Sequence, residues 1–93
     1  MGKLPLLSDI EIHRRLVALP GWQRDGDVIR RTFTFAGFPE AVAFVQRLVE
    51  PAEAMAHHPD VDVRYDRVIV TLSTHDSGGI TENDLVLAER IQG

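Results

Sequence analysis

Three of the chain's four histidines, His57, His58 and His75, sit near carboxylates, in a pattern suited to moving protons. Imidazole is the side chain whose charge changes nearest neutral pH. Glu53 precedes His57 by four positions, one helical step, so the two side chains are expected to meet on one helix face. A carboxylate there would orient the imidazole and favour its charged form, and the C-terminal end of a helix acts in the same direction. His58 is the next residue and must point elsewhere, so the pair could line two sides of one pocket. General acid–base reactions such as dehydration, isomerisation or enolisation are the first chemistry this set suggests.

The same side chains also suit zinc or another divalent cation, with Asp60, Asp76 or Asp84 as a carboxylate ligand. Against that, adjacent histidines lack the i, i+4 presentation of a helical metal pair. Histidines also cap helix and strand ends by satisfying backbone carbonyls, and residue types alone do not separate that role from catalysis. His13, beside Arg14 and Arg15, reads as a solvated helix residue, because function needs convergent groups.

The elements that must position these residues follow from local patterns. Ser8-Asp9-Ile10-Glu11 has the spacing of a capping box, and Leu7 with Ile12 that of a hydrophobic staple. A first helix should therefore run to about Leu19, where Pro20-Gly21 stops it. Asp25-Gly26 predicts a type I′ hairpin turn between a short strand from Trp22 to Arg24 and a longer one. In the longer strand Ile29, Arg31, Phe33 and Phe35 share a face. Phe38, Ala41, Val42, Val45, Leu48 and Val49 form the stripe of a second helix, with a kink expected at Pro51. After His58-Pro59, Val61, Val63 and Tyr65 alternate as a third strand, Asp66-Arg67 turns it, and Val68 to Thr74 returns. Thr81-x-x-Asp84 opens the last helix with cap-like spacing, with Ile80 and Leu85 in staple positions. The string α-β-β-α-β-β-α predicts a two-layer α+β domain over residues 1–93, a four-stranded antiparallel sheet with three helices on one face. A hairpin turning near Asp66 brings residues 58–60 beside 73–75, so the three imidazoles converge at one end of the sheet.

Composition narrows the function classes. With 10 Lys and Arg against 14 Asp and Glu, the net charge of −4 lacks the footprint of a non-specific nucleic-acid or anionic-membrane binder. No cysteine is present, which excludes disulfides, thiolate catalysis and thiolate metal sites and permits a reducing compartment. No apolar run approaches the roughly 20 residues of a membrane span. The opening Met1 to Leu7, broken by Pro5, is too short for a signal sequence, so a cytoplasmic address is expected. A chain of 93 residues hides only about 60–65% of its unfolded surface, which favours self-association. In the last helix Leu85, Val86, Leu87, Ala88 and Ile91 cannot all face the sheet, so some are expected to meet a second copy.

Taken together, Glu53-Ala54-Met55-Ala56-His57-His58-Pro59, Tyr65, Ser73-Thr74-His75-Asp76, Gly78-Gly79 and Asp84 resemble the pterin-4a-carbinolamine dehydratase family. The family pattern is an acidic residue, three positions, His-His-Pro, five positions, an aromatic, nine positions, His, and a downstream Asp; every interval is met here. The likeness extends upstream through Leu19-Pro20-Gly21-Trp22 and Arg31-Thr32-Phe33-Thr34-Phe35. It implies dehydration of a 4a-hydroxytetrahydropterin to the quinonoid dihydropterin and water, with a pterin as substrate, no metal, no separate cofactor, and a homodimer or homotetramer. By resemblance His57, His58 and His75 are catalytic, His57 or His75 protonating the hydroxyl while His58 chiefly orients the ring. Ala56-His57-His58 and Ser73-Thr74-His75-Asp76 contact substrate, and Glu53 and Asp84 hold the histidines. Ala56, where some members carry a polar residue, Val61, where some carry tryptophan, and the helical Pro51 depart from the family. Animal members also serve as dimerisation cofactors of a transcription factor, so a binding module is the competing class, and a folate- or molybdopterin-type ring is an alternative substrate.

Overall fold

A computed structural model describes residues 3–91; Met1, Gly2, Gln92 and Gly93 lie outside the described residues, as does that part of the N-terminal reading. Helix α1 (Asp9–Val17) starts at Ser8, whose hydroxyl accepts from the Glu11 N–H at 3.1 Å, one half of the expected capping box. The Glu11 carboxylate accepts instead from Arg14 Nη1 at 3.1 Å. The helix ends two residues before Leu19, which is buried just beyond it. Strands β1 (Gln23–Asp25) and β2 (Val28–Thr34) form the first hairpin. Helices α2 (Phe38–Arg47) and α3 (Val49–Met55) follow, then β3 (Asp60–Arg64) and β4 (Arg67–Leu72), a 3₁₀ turn at His75–Ser77, and α4 (Glu82–Arg90). The strands order β1-β2-β4-β3, antiparallel throughout, so the two long strands lie at the centre of an α+β fold.

The buried face follows the pleat. Ile29 opposes Leu72 and Phe33 opposes Val68, and all four are almost wholly buried under the helices. Phe44 of α2 completes the aromatic centre, 4.6 Å from Phe33 and 5.0 Å from Phe35 between ring centroids. The opposite face carries Arg30, Thr32, Thr34, Asp60, Asp62 and Arg64, whose polarity suits water.

Four local expectations are corrected. Both hairpin loops sit one residue away from the predicted turn. The first loop is Gly26-Asp27, with Asp25 paired to Val28 and only Gly26 at positive φ (61°), the pattern of a II′ turn, which takes glycine first. The second is Tyr65-Asp66, with Arg64 paired to Arg67; Tyr65 therefore leaves the strand for the turn, at φ 54°. The kink at Pro51 becomes a break at Leu48, which places proline in the first turn of α3, where an amide hydrogen has no helical acceptor anyway. Finally, Leu85, Leu87, Ala88 and Ile91 are all buried within this one chain and only Val86 is half-buried, so little of α4's apolar side is left for a second copy. A helix flanked on both sides buries more than one stripe, and α4 has α3 on one side and is tied to α1 by Arg15.

Arg15 donates from Nη1 to Glu82 at 2.8 Å and from Nη2 to Glu89 at 3.0 Å. The guanidinium holds the Glu82 carboxyl below its ordinary value. A carboxylate so shifted stabilises the fold fully above its unfolded pKa, and that contribution is lost as pH falls through the lowered one. Because both glutamates are half exposed, Glu82→Gln should cost only about 0.2–1 kcal/mol at neutral pH. Urea unfolding across an acid series should show the difference from wild type vanishing as Glu82 protonates.

Candidate active site

The α3–β3 junction is built by an unusual residue. Ala56 takes a left-handed conformation (φ 51°, ψ 40°), its N–H bonding to the Glu53 carbonyl at 3.2 Å and the following His57 N–H to that of Ala52 at 3.0 Å. This pair of bonds is a Schellman closure, a position that glycine normally fills. The chain reverses sharply there, so His57 is no longer in helical phase with Glu53. The expected Glu53–His57 pair is therefore replaced by two others. Glu53 Oε2 lies 2.5 Å from His58 Nε2 at the surface, and His57 Nε2 lies 2.6 Å from Asp84 Oδ1. Pro59 then directs the chain into β3.

The other wall comes from the end of β4. Thr74 anchors the following loop: its N–H bonds to the Gly79 carbonyl at 2.8 Å, and its carbonyl accepts from Ser77 and Gly78, both at 3.0 Å. Gly78 supplies the left-handed turn (φ 76°) that closes this loop. The loop is also held from outside, where the Ser77 hydroxyl donates to the Leu4 carbonyl at 2.6 Å.

Between these walls lies a cleft of about 370 Å³, lined by Ala56, His57, His58, Pro59, Asp60, Ser73, Thr74, His75 and Asp76. That volume suits a small polar heterocycle. All seven residues expected at the substrate meet in it. Hollows of similar size elsewhere, about 410 Å³ beside Arg47 and Arg90 and about 450 Å³ beside Gly21 and Arg30, gather no histidine.

The three imidazoles differ in how tightly they are held. His57 is 11% exposed and backed by a carboxylate that is wholly buried. His58 and His75 are mostly exposed, His75 with Nε2 4.0 Å from Asp60 Oδ2. Behind His57, Asp84 Oδ2 accepts from the Thr74 hydroxyl and the Thr81 N–H, each at 2.9 Å, and the Thr74 and Thr81 hydroxyls lie 2.6 Å apart. Sequence reasoning missed Pro59 as a wall, treated Asp60 only as a metal ligand and read Thr81 only as a helix cap. The clue to Thr81 was its cap partner, since the Asp84 that completes the cap is also the family's downstream Asp. Among the described residues, no three His, Asp or Glu side chains are grouped to hold a metal ion. Among them too, no helix is long and apolar enough to cross a membrane.

Residues 5–93 match the family described as pterin 4 alpha carbinolamine dehydratase. A Thermomicrobium roseum protein curated under the name pterin-4-alpha-carbinolamine dehydratase is 49% identical over 85 residues, 91% of each chain. A Roseiflexus castenholzii protein of the same name is 51% identical over 86 residues, 92% of each chain. Among solved structures, a Brucella melitensis protein described as a transcriptional coactivator/pterin dehydratase superposes with TM-score 0.87 at 38% identity, covering 92% of this chain and 94% of that one. A pterin dehydratase-like protein described as a RuBisCO assembly factor in the alpha-carboxysome superposes at TM-score 0.59 with 22% identity, over 75% of this chain and 81% of that one, a likeness of fold alone.

The strained corner at Ala56 yields a direct check. An L-residue in the left-handed region costs about 1–2 kcal/mol, partly offset because glycine loses more entropy on folding. Ala56→Gly should therefore stabilise the chain by up to about 1 kcal/mol, read as a raised Tm in calorimetry.

Proposed function

The chain belongs to the pterin-4-alpha-carbinolamine dehydratase family, a family of hydro-lyases, and we propose that its three cleft histidines carry the proton transfers of that dehydration. The substrate is a 4a-hydroxytetrahydropterin. A proton is delivered to the 4a-hydroxyl, the carbon–oxygen bond breaks and water departs, and the neighbouring ring nitrogen gives up its proton, leaving the quinonoid dihydropterin. One proton is added and one removed, so the reaction needs neither an oxidant nor a reductant. A recycling role for a tetrahydrobiopterin-type cofactor follows from that product.

The observation that carries the reading is the convergence of His57, His58 and His75 on one cleft of heterocycle size. Imidazoles titrate near the working pH and can serve as either acid or base. His57 or His75 protonates the leaving hydroxyl. His58, exposed and tied to Glu53, chiefly holds the ring. Ala56 and Ser73 to Asp76 line the cleft, and polar groups there that the wall closures leave unused suit the ring's own donors and acceptors. A pure binding module would have no use for the three imidazoles together.

Each single substitution, His57→Ala or His75→Ala, should slow enzymatic dehydration by about 10²–10⁴-fold, or about 3–5 kcal/mol of barrier. The assay follows absorbance of a 4a-hydroxypterin generated in place. The spontaneous reaction sets the floor, and wild-type turnover by the double variant would refute the assignment.

We also propose that the chain is a homodimer or homotetramer, with the exposed edge rather than α4 as the contact. All five residues of β3 are exposed, Val61 shares a hollow with Val45 and Val49 of the adjacent helices, and Val63, Phe38 and Val42 are exposed as well. An unpaired strand edge with apolar neighbours is a template for association. Val63→Asp should shift sedimentation at micromolar concentration toward monomer, whereas a wild-type monomer there would refute self-association.

A further inference from the structure

His57 is held by a chain of hydrogen bonds whose directions can be assigned from chemistry. Asp84 is 0% exposed, and as a carboxylate it can only accept. Its Oδ2 faces the Thr81 N–H and the Thr74 hydroxyl, and its Oδ1 faces His57 Nε2. All three partners must therefore donate. Thr74 has one hydroxyl hydrogen, committed to Asp84, so at 2.6 Å from the Thr81 hydroxyl it can only accept. The order runs one way: Thr81 O–H to Thr74, Thr74 O–H to Asp84, His57 Nε2–H to Asp84.

We propose that the buried Thr81–Thr74–Asp84 chain locks His57 with its proton on Nε2, so that Nδ1 is the atom that gains and loses a proton in the cleft, and that Thr81 is a positioning residue for it. This rests on the dehydratase reading for its use in catalysis, though not for the tautomer itself. The Thr81 side chain is wholly buried and does not line the cleft. Its hydroxyl holds the Thr74 rotor in the setting that directs the Thr74 hydrogen at the carboxylate. Without it Thr74 is free to turn away, and Asp84 loses a donor. Bonds that polarise one another in a low-dielectric interior make each link depend on the others.

The chain also predicts how an isosteric amide must sit. In Asp84→Asn the carbonyl oxygen must stay toward the Thr81 N–H, since a donor cannot face a donor. The NH₂ group is then turned toward His57, and Nε2 must become an acceptor. The neutral imidazole should switch to the Nδ1–H form, the same logic by which an Asn in place of a triad Asp produces the wrong tautomer.

The test is long-range ¹H–¹⁵N correlation on the whole chain labelled in histidine, alongside dehydration kinetics. Wild type should show neutral His57 as the Nε2–H tautomer, Thr81→Val a mixture, Thr81→Ser the wild-type pattern, and Asp84→Asn the Nδ1–H form. Removal of one hydrogen bond to a charged network should lower kcat about 5–20-fold in Thr81→Val with KM little changed, and Thr81→Ser should restore it. A wild-type His57 carrying its neutral proton on Nδ1 would overturn the proposal even if no variant folded. So would an Asp84→Asn spectrum like wild type. If the tautomers follow the expected pattern while wild type fails to dehydrate a carbinolamine, the tautomer lock stands and the dehydratase reading falls.

Discussion

A carboxylate with no exposed surface has to be met by donors within the protein, because an uncompensated buried charge is among the costliest features a fold can carry. Asp84 meets that condition with donors from three separate pieces of chain: the turn after α3, the end of β4 and the start of its own helix. None of those pieces is adjacent in sequence to all the others, so satisfying one side chain also fixes their relative placement. The N-terminus of α4 gains a partner for the Thr81 amide, one of the donors that a helix start leaves open. The cleft gains a histidine bonded to a buried carboxylate. The packing of the three pieces and the setting of His57 are thus tied to the same buried carboxylate.

Around that fixed point the two walls have different mechanical character. The wall carrying His57 and His58 turns on a left-handed alanine, and this one residue decides which imidazole goes inward and which stays outside. Continued helix would have presented His57 to Glu53; the reversal delivers it to Asp84 and leaves Glu53 for His58. The opposite wall is a short 3₁₀ turn closed on Thr74 and pinned from outside by the segment preceding α1. Backbone hydrogen bonds close both walls, and side-chain bonds to Asp84, Glu53 and the Leu4 carbonyl back them.

Much of this was legible in the chain. The capping patterns at Ser8 and Thr81, the strand alternation in β2, and the nearness of residues 58–60 to 73–75 all arise from local rules with fixed periods. What was not legible has identifiable causes. Both hairpin loops contain a positive-φ residue at their first position, Gly26 and Tyr65, and no rule of composition points to tyrosine there. Ala56 is similar, because alanine carries no signal for a left-handed corner, and the helical spacing of Glu53 and His57 is overridden by it. The burial of α4 depended on what lies on both of its sides, which a single helix's periodicity does not encode. Thr81 was visible as a cap, but its contact with Thr74 is a tertiary fact.

The proposed reaction asks for two protons to move in opposite senses on neighbouring atoms of one ring, and the cleft holds imidazoles under unequal constraint. A buried, carboxylate-backed His57 keeps one geometry, which is what proton transfer in a transition state rewards, since a misplacement of about 1 Å can cost 10²-fold. His75 is mostly exposed, its Nε2 4.0 Å from Asp60 Oδ2, and is held far less closely than His57. If both were rigid, the pocket would have to be complementary to substrate and product at once; if both were mobile, neither would be pre-aimed. One fixed and one adjustable imidazole therefore suit a reaction that takes up and releases a proton in the same turnover. The fixed one is the one that the fold cannot release without unburying Asp84.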